Sequence, residues 1–100
     1  MRTLLSPAAR IEFDEAVDFY EARDKDIARR FVAEYDRLAA QLVRFPMSGM
    51  RVGNKARRAV FNDFPYLLVY RVEGHVLKIY AVAHQSRRPG YWRKRLPAKS

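Results

Sequence analysis

Apolar side chains recur at helical spacing through most of the first half of the chain. In the first stretch they fall three or four positions apart, and acidic residues fill most of the intervening positions, as in an amphipathic helix. Ser6 and Pro7 predict where this helix begins, because serine caps helix N-termini and proline suits the first helical position. A second apolar stripe covers residues 27–45, so we expect Asp24 or Asp26 to cap a second helix. The pattern predicts a hairpin of two antiparallel helices joined by a short polar turn.

The second half of the chain follows strand periodicity instead. Runs rich in β-branched and aromatic residues are separated by two turn-forming pairs, Glu73–Gly74 and Asn62–Asp63, which indicates hairpins. The predicted strands cover residues 57–61, 64–72 and 76–83, with a further short edge strand at residues 3–5. Pro65 cannot donate a ladder hydrogen bond and therefore predicts a bend or a bulge. We expect a loop at residues 50–55 and a helical turn at residues 91–96.

The turn at Glu73–Gly74 predicts which side chains share a face of the sheet. It sets Tyr70 opposite Leu77 on a nearly all-apolar face, which we expect to pack on the helices. Ala81 and Ala83 are expected on that same face. The opposite face, here called the outer face, is predicted to carry Arg58, Arg71, Lys78, Tyr80, Val82 and His84. Because it mixes cations with aromatic and aliphatic side chains, we expect the outer face to stay open to solvent and to form the working surface.

Charge divides the chain into two unlike halves. Residues 1–50 hold 8 lysines and arginines against 9 aspartates and glutamates, whereas residues 51–100 hold 12 against 2, and the formal net charge is +9. A cationic sheet half favours an acidic partner. The absence of cysteine excludes disulfides and thiolate metal sites. No run is apolar enough to span a bilayer or to form a secretory signal, so we expect one cytoplasmic domain over residues 1–100, with neither a membrane partner nor a metal.

Basic and aromatic residues after the last predicted strand are the main candidates for function. The pair Arg87–Arg88, with the arginines of the outer face, suits bidentate binding of phosphates or carboxylates. His84 suits acid–base chemistry, but a histidine at a strand end more often hydrogen-bonds the backbone and orients the next loop. Trp92 is expected to pin the C-terminal end on the sheet, while Tyr91 stays more open. No base stands at a spacing that would indicate a nucleophilic triad with Ser86.

The order and spacing of these blocks resemble the ParE branch of the RelE/ParE superfamily of bacterial toxin–antitoxin toxins. The resemblance covers nearly the whole chain. The helical half resembles the family's helical hairpin and its Phe-Pro-x-Ser-Gly exit, here FPMSG at residues 45–49. The sheet half carries, in the family's order, Phe64-Pro65-Tyr66, Val69-Tyr70-Arg71 and Val82-Ala83-His84, followed by Arg87, Arg88, Pro89 and Trp92.

The resemblance implies an α+β fold in which a short N-terminal strand and a two-helix hairpin pack on a small twisted antiparallel sheet that ends in a short C-terminal helical turn. It implies the toxin of a type II toxin–antitoxin system, associated with plasmid stabilisation, which binds and poisons DNA gyrase without a cofactor or chemistry of its own. A ParD-like antitoxin with an acidic C-terminal segment would neutralise it in a hetero-oligomer. The expected target and antitoxin contacts are Arg58, Arg71, Lys78, Tyr80, His84, Arg87, Arg88, Tyr91 and Trp92.

A second activity stays open for the same surface. The RelE-like relatives cut mRNA in the ribosomal A site with a basic set and a tyrosine or histidine near the end of the sheet. Arg58, Arg71 and His84 lie in roughly comparable places, so a ribosome-dependent endonuclease is the alternative. Lysines near the sheet are few, namely Lys55 and Lys78, and this counts against that alternative.

Overall fold

Two helices cover one face of a five-stranded sheet in the computed structural model, which describes residues 1–100. In chain order the elements are β1 (Arg2–Leu5), α1 (Pro7–Glu21), α2 (Lys25–Arg44), β2 (Met50–Arg51), β3 (Arg57–Val60), β4 (Tyr66–Glu73), β5 (Val76–His84) and a 3₁₀ turn (Arg93–Arg95). The strand order is β1-β5-β4-β3-β2. β1 runs parallel to β5 and all other neighbours are antiparallel, so the predicted α+β fold is confirmed with a mixed sheet. Neither helix is long and apolar enough to cross a membrane.

Both helices begin where the capping residues predict. The Ser6 hydroxyl accepts a hydrogen bond from the Ala9 N–H at 3.1 Å, with Pro7 as the first helical residue. The Asp24 carboxylate accepts from the Asp26 N–H at 2.7 Å, so Asp24 caps the second helix. These side chains satisfy backbone donors that a helix N-terminus otherwise leaves unpaired.

The main core lies between the helices and the sheet. Phe31 of α2 has no exposed surface, and its ring stacks on Phe61 with the centroids 5.2 Å apart. The sheet contributes Leu68, Tyr70 and Ile79 to the same core cluster, and these three side chains are likewise fully buried. Each such side chain stabilises the fold by about 1.5–3 kcal/mol relative to exposure, so this layer holds the two predicted halves together.

A second, smaller core lies on the outer face of the sheet. Residues 87–100, here called the C-terminal segment, cross this face, and Trp92 is buried there with 6% of its surface exposed. The indole packs in a cluster with Val69, Ala81 and Ala83. The predictions that Trp92 anchors the C-terminal end and that a helical turn forms near residues 91–96 are both confirmed.

The predicted face assignment is wrong for the end of β5. The hairpin turn lies at Gly74 and His75, so Glu73 pairs with Val76, and the register then shifts between Val69 and Tyr70. Tyr70 pairs with Ile79 but Val69 pairs with Ala81, and Tyr80 is left as the extra residue of a β-bulge. Because one extra residue reverses the alternation of side chains, the faces change over beyond Tyr80.

The bulge moves four residues away from their predicted positions. Ala81 and Ala83 belong to the outer cluster, whereas Val82 belongs to the helix-side core. His84 pairs with Tyr66, and the two rings meet edge to face at 5.0 Å. Pro65, where a bend or bulge was predicted, lies in a bend just before β4, and the predicted loop at residues 50–55 contains the two-residue strand β2.

Candidate anion-binding cleft

The C-terminal segment leaves a cleft of about 440 Å³ between itself and the strands β3 and β4. Arginine side chains from both sides line it, here called the arginine cleft: Arg58 from β3, and Arg87, Arg88 and Arg93 from the C-terminal segment. His84, Gln85, Tyr91 and Trp92 complete much of the wall, and no carboxylate lines it. Four guanidinium groups without an acidic neighbour in the cleft suit an anionic ligand.

Three of the four cleft arginines have no acidic partner, and the fourth, Arg87, has only a long ion pair with Glu12. Arg58, Arg88 and Arg93 make no ion pair, and the nearest carboxylate oxygen to Arg87 lies 3.9 Å away. Arg87 lies over the Tyr91 ring at 3.9 Å from its centroid. Arg93 donates to the Val52 carbonyl at 2.9 Å. Stacking and carbonyl contacts fix a guanidinium without neutralising it, so the cleft is pre-organised for an anion.

The turn after β5 confirms the structural interpretation of His84. Its Nδ1 atom accepts from the Ser86 N–H at 3.0 Å and lies 2.7 Å from the Ser86 hydroxyl, while the Arg87 N–H donates to the His84 carbonyl at 3.0 Å. These contacts assign Nδ1 as an acceptor and, in the neutral ring, place the proton on Nε2. His84 therefore orients the loop that carries Arg87. The sequence spacing gave no sign of the contact with Ser86.

A buried carboxylate that sequence reasoning left among the polar helix positions fixes the C-terminal segment. Glu12 of α1 has 9% of its surface exposed and accepts from the Val82 N–H at 3.0 Å and from the Tyr91 hydroxyl at 2.5 Å. Arg95 donates to both carboxylate oxygens, at 2.8 and 3.0 Å. One signal was present in the sequence, because position 12 falls on the helix face defined by Ala9 and Ala16.

The contacts with Glu12 raise the pKa of both of its side-chain partners from the C-terminal segment. Burial, and next the hydrogen bond to Glu12, raise the pKa of Tyr91 above its ordinary value of 10.0. The hydrogen bond that Arg95 donates to Glu12 likewise raises the pKa of Arg95. A neutral Tyr91 hydroxyl and a charged Arg95 are the forms that can donate to a carboxylate, so the network is complete at neutral pH.

The predicted open outer face is wrong at its other end. The side chain of Arg71 is only 13% exposed, and its Nη1 donates to the Ser100 hydroxyl at 2.7 Å. Its Nε lies 3.1 Å from a Glu73 carboxylate oxygen but is not aligned for a hydrogen bond. The C-terminal segment covers this part of the sheet because the apolar side chains around Trp92 need burial.

Tyr80 and Lys78 lie with Arg71 and outside the arginine cleft. Tyr80 is buried and its hydroxyl donates to Glu73. Burial, followed by that hydrogen bond, raises the pKa of Tyr80 to about 12. The Lys78 ammonium lies 5.1 Å from the centre of the Tyr80 ring. The structure therefore brings together Arg58, His84, Arg87, Arg88, Tyr91 and Trp92, adds Arg93, and separates Arg71, Lys78 and Tyr80 from them.

A partly apolar groove continues from the arginine cleft around the edge of β3. β2 pairs only with Arg57 and Arg58, so β3 has no neighbour beyond Arg58 on that side. Val60 is half exposed there, and Met50 is 62% exposed. Arg58 and Val60 line both the arginine cleft and this groove, so a cationic and an apolar surface meet at one free strand edge.

Known proteins match both the sequence and the fold. A family model described as "ParE toxin of type II toxin-antitoxin system, parDE" matches residues 4–89. A solved structure described as "Chromosomal ParDE TA system from P. aeruginosa" superimposes with a TM-score of 0.71 at 18% sequence identity, covering 84% of this chain and 95% of that chain. No curated protein sequence matches the chain.

Proposed function

Because the chain belongs to the ParE toxin family of type II toxin–antitoxin systems, we propose that it arrests growth by binding DNA gyrase and that a ParD-like antitoxin neutralises it. In this proposal the protein acts by binding alone and catalyses no reaction. The arginine cleft is the contact surface, and Arg58, Arg87 and Arg88 are its central residues. His84 orients the loop, and Trp92 and Tyr91 hold the C-terminal segment in place.

The observation that carries this proposal is the cluster of four arginines without a carboxylate in the arginine cleft. The guanidinium groups of Arg87 and Arg93 are fixed by an aromatic ring and a backbone carbonyl, so binding an anion requires little further ordering of these two side chains. Such a surface suits the phosphates of a gyrase–DNA complex or acidic side chains on gyrase. It also suits an acidic antitoxin segment, which would compete for the same residues.

The endonuclease alternative finds less support in the geometry. Its set requires Arg58, Arg71 and His84 to act together, but Arg71 contacts Ser100 outside the arginine cleft. The Nδ1 atom of His84 is already an acceptor for Ser86, which leaves an N–H donor and no base on the neutral ring. The arrangement therefore favours binding over proton abstraction.

The free edge of β3 supports neutralisation by an antitoxin. An extended segment could add there as a further strand, place apolar side chains in the groove beside Val60 and Met50, and direct acidic side chains to Arg58. A ParD-like antitoxin with an acidic C-terminal segment has the chemistry for this. Antitoxin bound in this way would block the arginine cleft.

A supercoiling assay tests the proposed target. Purified protein, mixed with gyrase, relaxed plasmid and ATP, is expected to inhibit supercoiling and to leave linear DNA after protein removal. Adding the cognate antitoxin before gyrase is expected to restore supercoiling. Normal supercoiling with the protein in excess would contradict the gyrase proposal. Codon-phased mRNA cleavage on ribosomes, abolished by His84→Ala, would support the alternative instead.

A further inference from the structure

The carboxylate of Glu12 binds one element of the sheet and two residues of the C-terminal segment at once. It accepts from the Val82 N–H of β5 and from Tyr91 and Arg95. Arg95 in turn donates to the Tyr80 carbonyl at 3.1 Å. Two polar side chains thus connect α1, β5 and the C-terminal segment.

The position of this network follows from the end of β1. β1 pairs with β5 only as far as Leu5 and Ile79, after which the edge of β5 lacks a strand partner. The Val82 N–H and the Tyr80 carbonyl lie just beyond that point, and Glu12 and Arg95 bind them. Since buried backbone groups need partners, this pair completes the edge of β5 where β1 has ended.

The network also contacts the segment that forms one wall of the arginine cleft. One wall carries Arg58 on β3, and the other carries Arg87, Arg88 and Arg93 on the C-terminal segment. Besides the Trp92 cluster and the contact of Arg93 with Val52, the contacts of that segment near the cleft include those of Tyr91 and Arg95 with Glu12. The Tyr91 ring lies against the Arg87 guanidinium, and Arg87 also forms a long ion pair with Glu12 at 3.9 Å, so Glu12 is linked to a cleft arginine both through Tyr91 and directly.

We infer that Glu12 is the positioning residue of the arginine cleft: its carboxylate docks the C-terminal segment so that Arg87, Arg88 and Arg93 face Arg58. Glu12 lies outside the lining of the arginine cleft and acts through Tyr91 and Arg95, and through its long ion pair with Arg87. This inference deepens the proposed function and rests on it where the cleft is taken as the binding surface. The docking itself is a property of the chain alone.

A glutamine at position 12 tests the inference, with Glu34 as the matched control. Both carboxylates are 9% exposed and both accept from the backbone, Glu34 from the N–H groups of Asn62 and Asp63 at 2.5 and 3.2 Å. Glu34 lies outside the arginine cleft. A glutamine keeps one acceptor oxygen and replaces the other by an NH2 donor, so Glu12→Gln removes the negative charge and one of the two acceptor atoms that Arg95 and Tyr91 share.

Two readouts separate docking from general stability. Trp92, the one tryptophan of the chain, reports docking through its emission wavelength and its quenching by acrylamide. The affinity for tripolyphosphate, measured by titration calorimetry at low salt, reports anion binding in the arginine cleft. Glu12→Gln is expected to shift Trp92 emission to longer wavelength and to weaken tripolyphosphate binding by about tenfold, the scale of one lost charged hydrogen bond. Glu34→Gln is expected to leave both readouts at the wild-type values.

A double-mutant cycle with Arg95→Met sharpens the test. If Glu12 acts through Arg95, the combined variant should bind tripolyphosphate no more weakly than Glu12→Gln alone. Additive losses would overturn the inference, as would an unchanged Trp92 signal in Glu12→Gln or equal losses in Glu34→Gln.

The outcome also separates this inference from the proposed function. If Trp92 undocks and tripolyphosphate binding weakens while gyrase inhibition stays at the wild-type level, the positioning role of Glu12 stands and the use of the cleft against gyrase fails. If Trp92 stays docked, the positioning role fails whatever the gyrase assay shows.

Discussion

Tyr91 belongs both to the arginine cleft and to the network around Glu12. Its ring carries Arg87, and its hydroxyl donates to the Glu12 carboxylate at 2.5 Å. A phenolate could not donate and would repel the carboxylate. The neutral form of Tyr91 is therefore the form that holds the C-terminal segment, which agrees with the rise of its pKa on burial and on contact with Glu12.

Stability should therefore fall in alkaline solution through Tyr91. Because its pKa is higher in the folded than in the unfolded chain, the unfolded chain loses the phenolic proton first as pH rises above 10.0. Its contribution is complete below that pH and shrinks as pH rises toward the folded-state pKa. Tyr91→Phe should cost about 1–2 kcal/mol at neutral pH. Urea unfolding at a series of pH values measures the difference in unfolding free energy between the wild type and Tyr91→Phe. This difference should shrink above pH 10, and a constant difference would contradict the prediction.

The two buried glutamates show what the sequence can and cannot predict about an individual residue. Positions 9, 12 and 16 lie on one face of α1, so the burial of Glu12 could have been predicted from the spacing. Its partners were not, because Arg95 lies 83 positions away in the chain. Glu34 likewise binds a loop 28 positions away, and no local sequence pattern predicts such a contact.

At the scale of elements, boundaries set by local chemistry were predictable. Ser6, Pro7 and Asp24 fixed the helix starts because caps depend on neighbouring residues only. The bulge at Tyr80 was not predictable, since valine, alanine and tyrosine alternate there as in a regular strand. Long-range packing decides it, with Val82 buried against the helices and Ala81 against Trp92.

Removal of the Trp92 ring tests how much the outer cluster contributes. Trp92→Ala should lower the free energy of unfolding by about 3–5 kcal/mol, because it leaves a cavity against Val69, Ala81 and Ala83. Leu4→Ala, at an exposed position, is the control and should cost little. Urea unfolding followed by circular dichroism measures both, and a Trp92→Ala loss as small as the control's would show that the outer cluster is dispensable.

At the scale of the whole molecule, the contrast between a near-neutral helical half and a cationic sheet half survives in the fold. The sequence predicted the excess of arginine on the side away from the helices and the anchoring of the C-terminal end by Trp92, but not that this end would reach as far as Arg71. Arg71 is shielded by Ser100, while Arg93, which the sequence placed in a helical turn without assigning it to the site, lines the cleft. The resulting surface is narrower than predicted and more concentrated in charge.

Charge reversal in the arginine cleft tests the central claim most directly. We compare Arg58→Glu/Arg88→Glu with Arg30→Glu/Arg37→Glu, which makes the same change in net charge on exposed positions of α2. Gyrase inhibition is titrated for both at equal salt, because screening weakens such contacts. The account predicts a loss of at least about tenfold for the cleft variant and little change for the α2 variant. Equal inhibition by the two variants would contradict it.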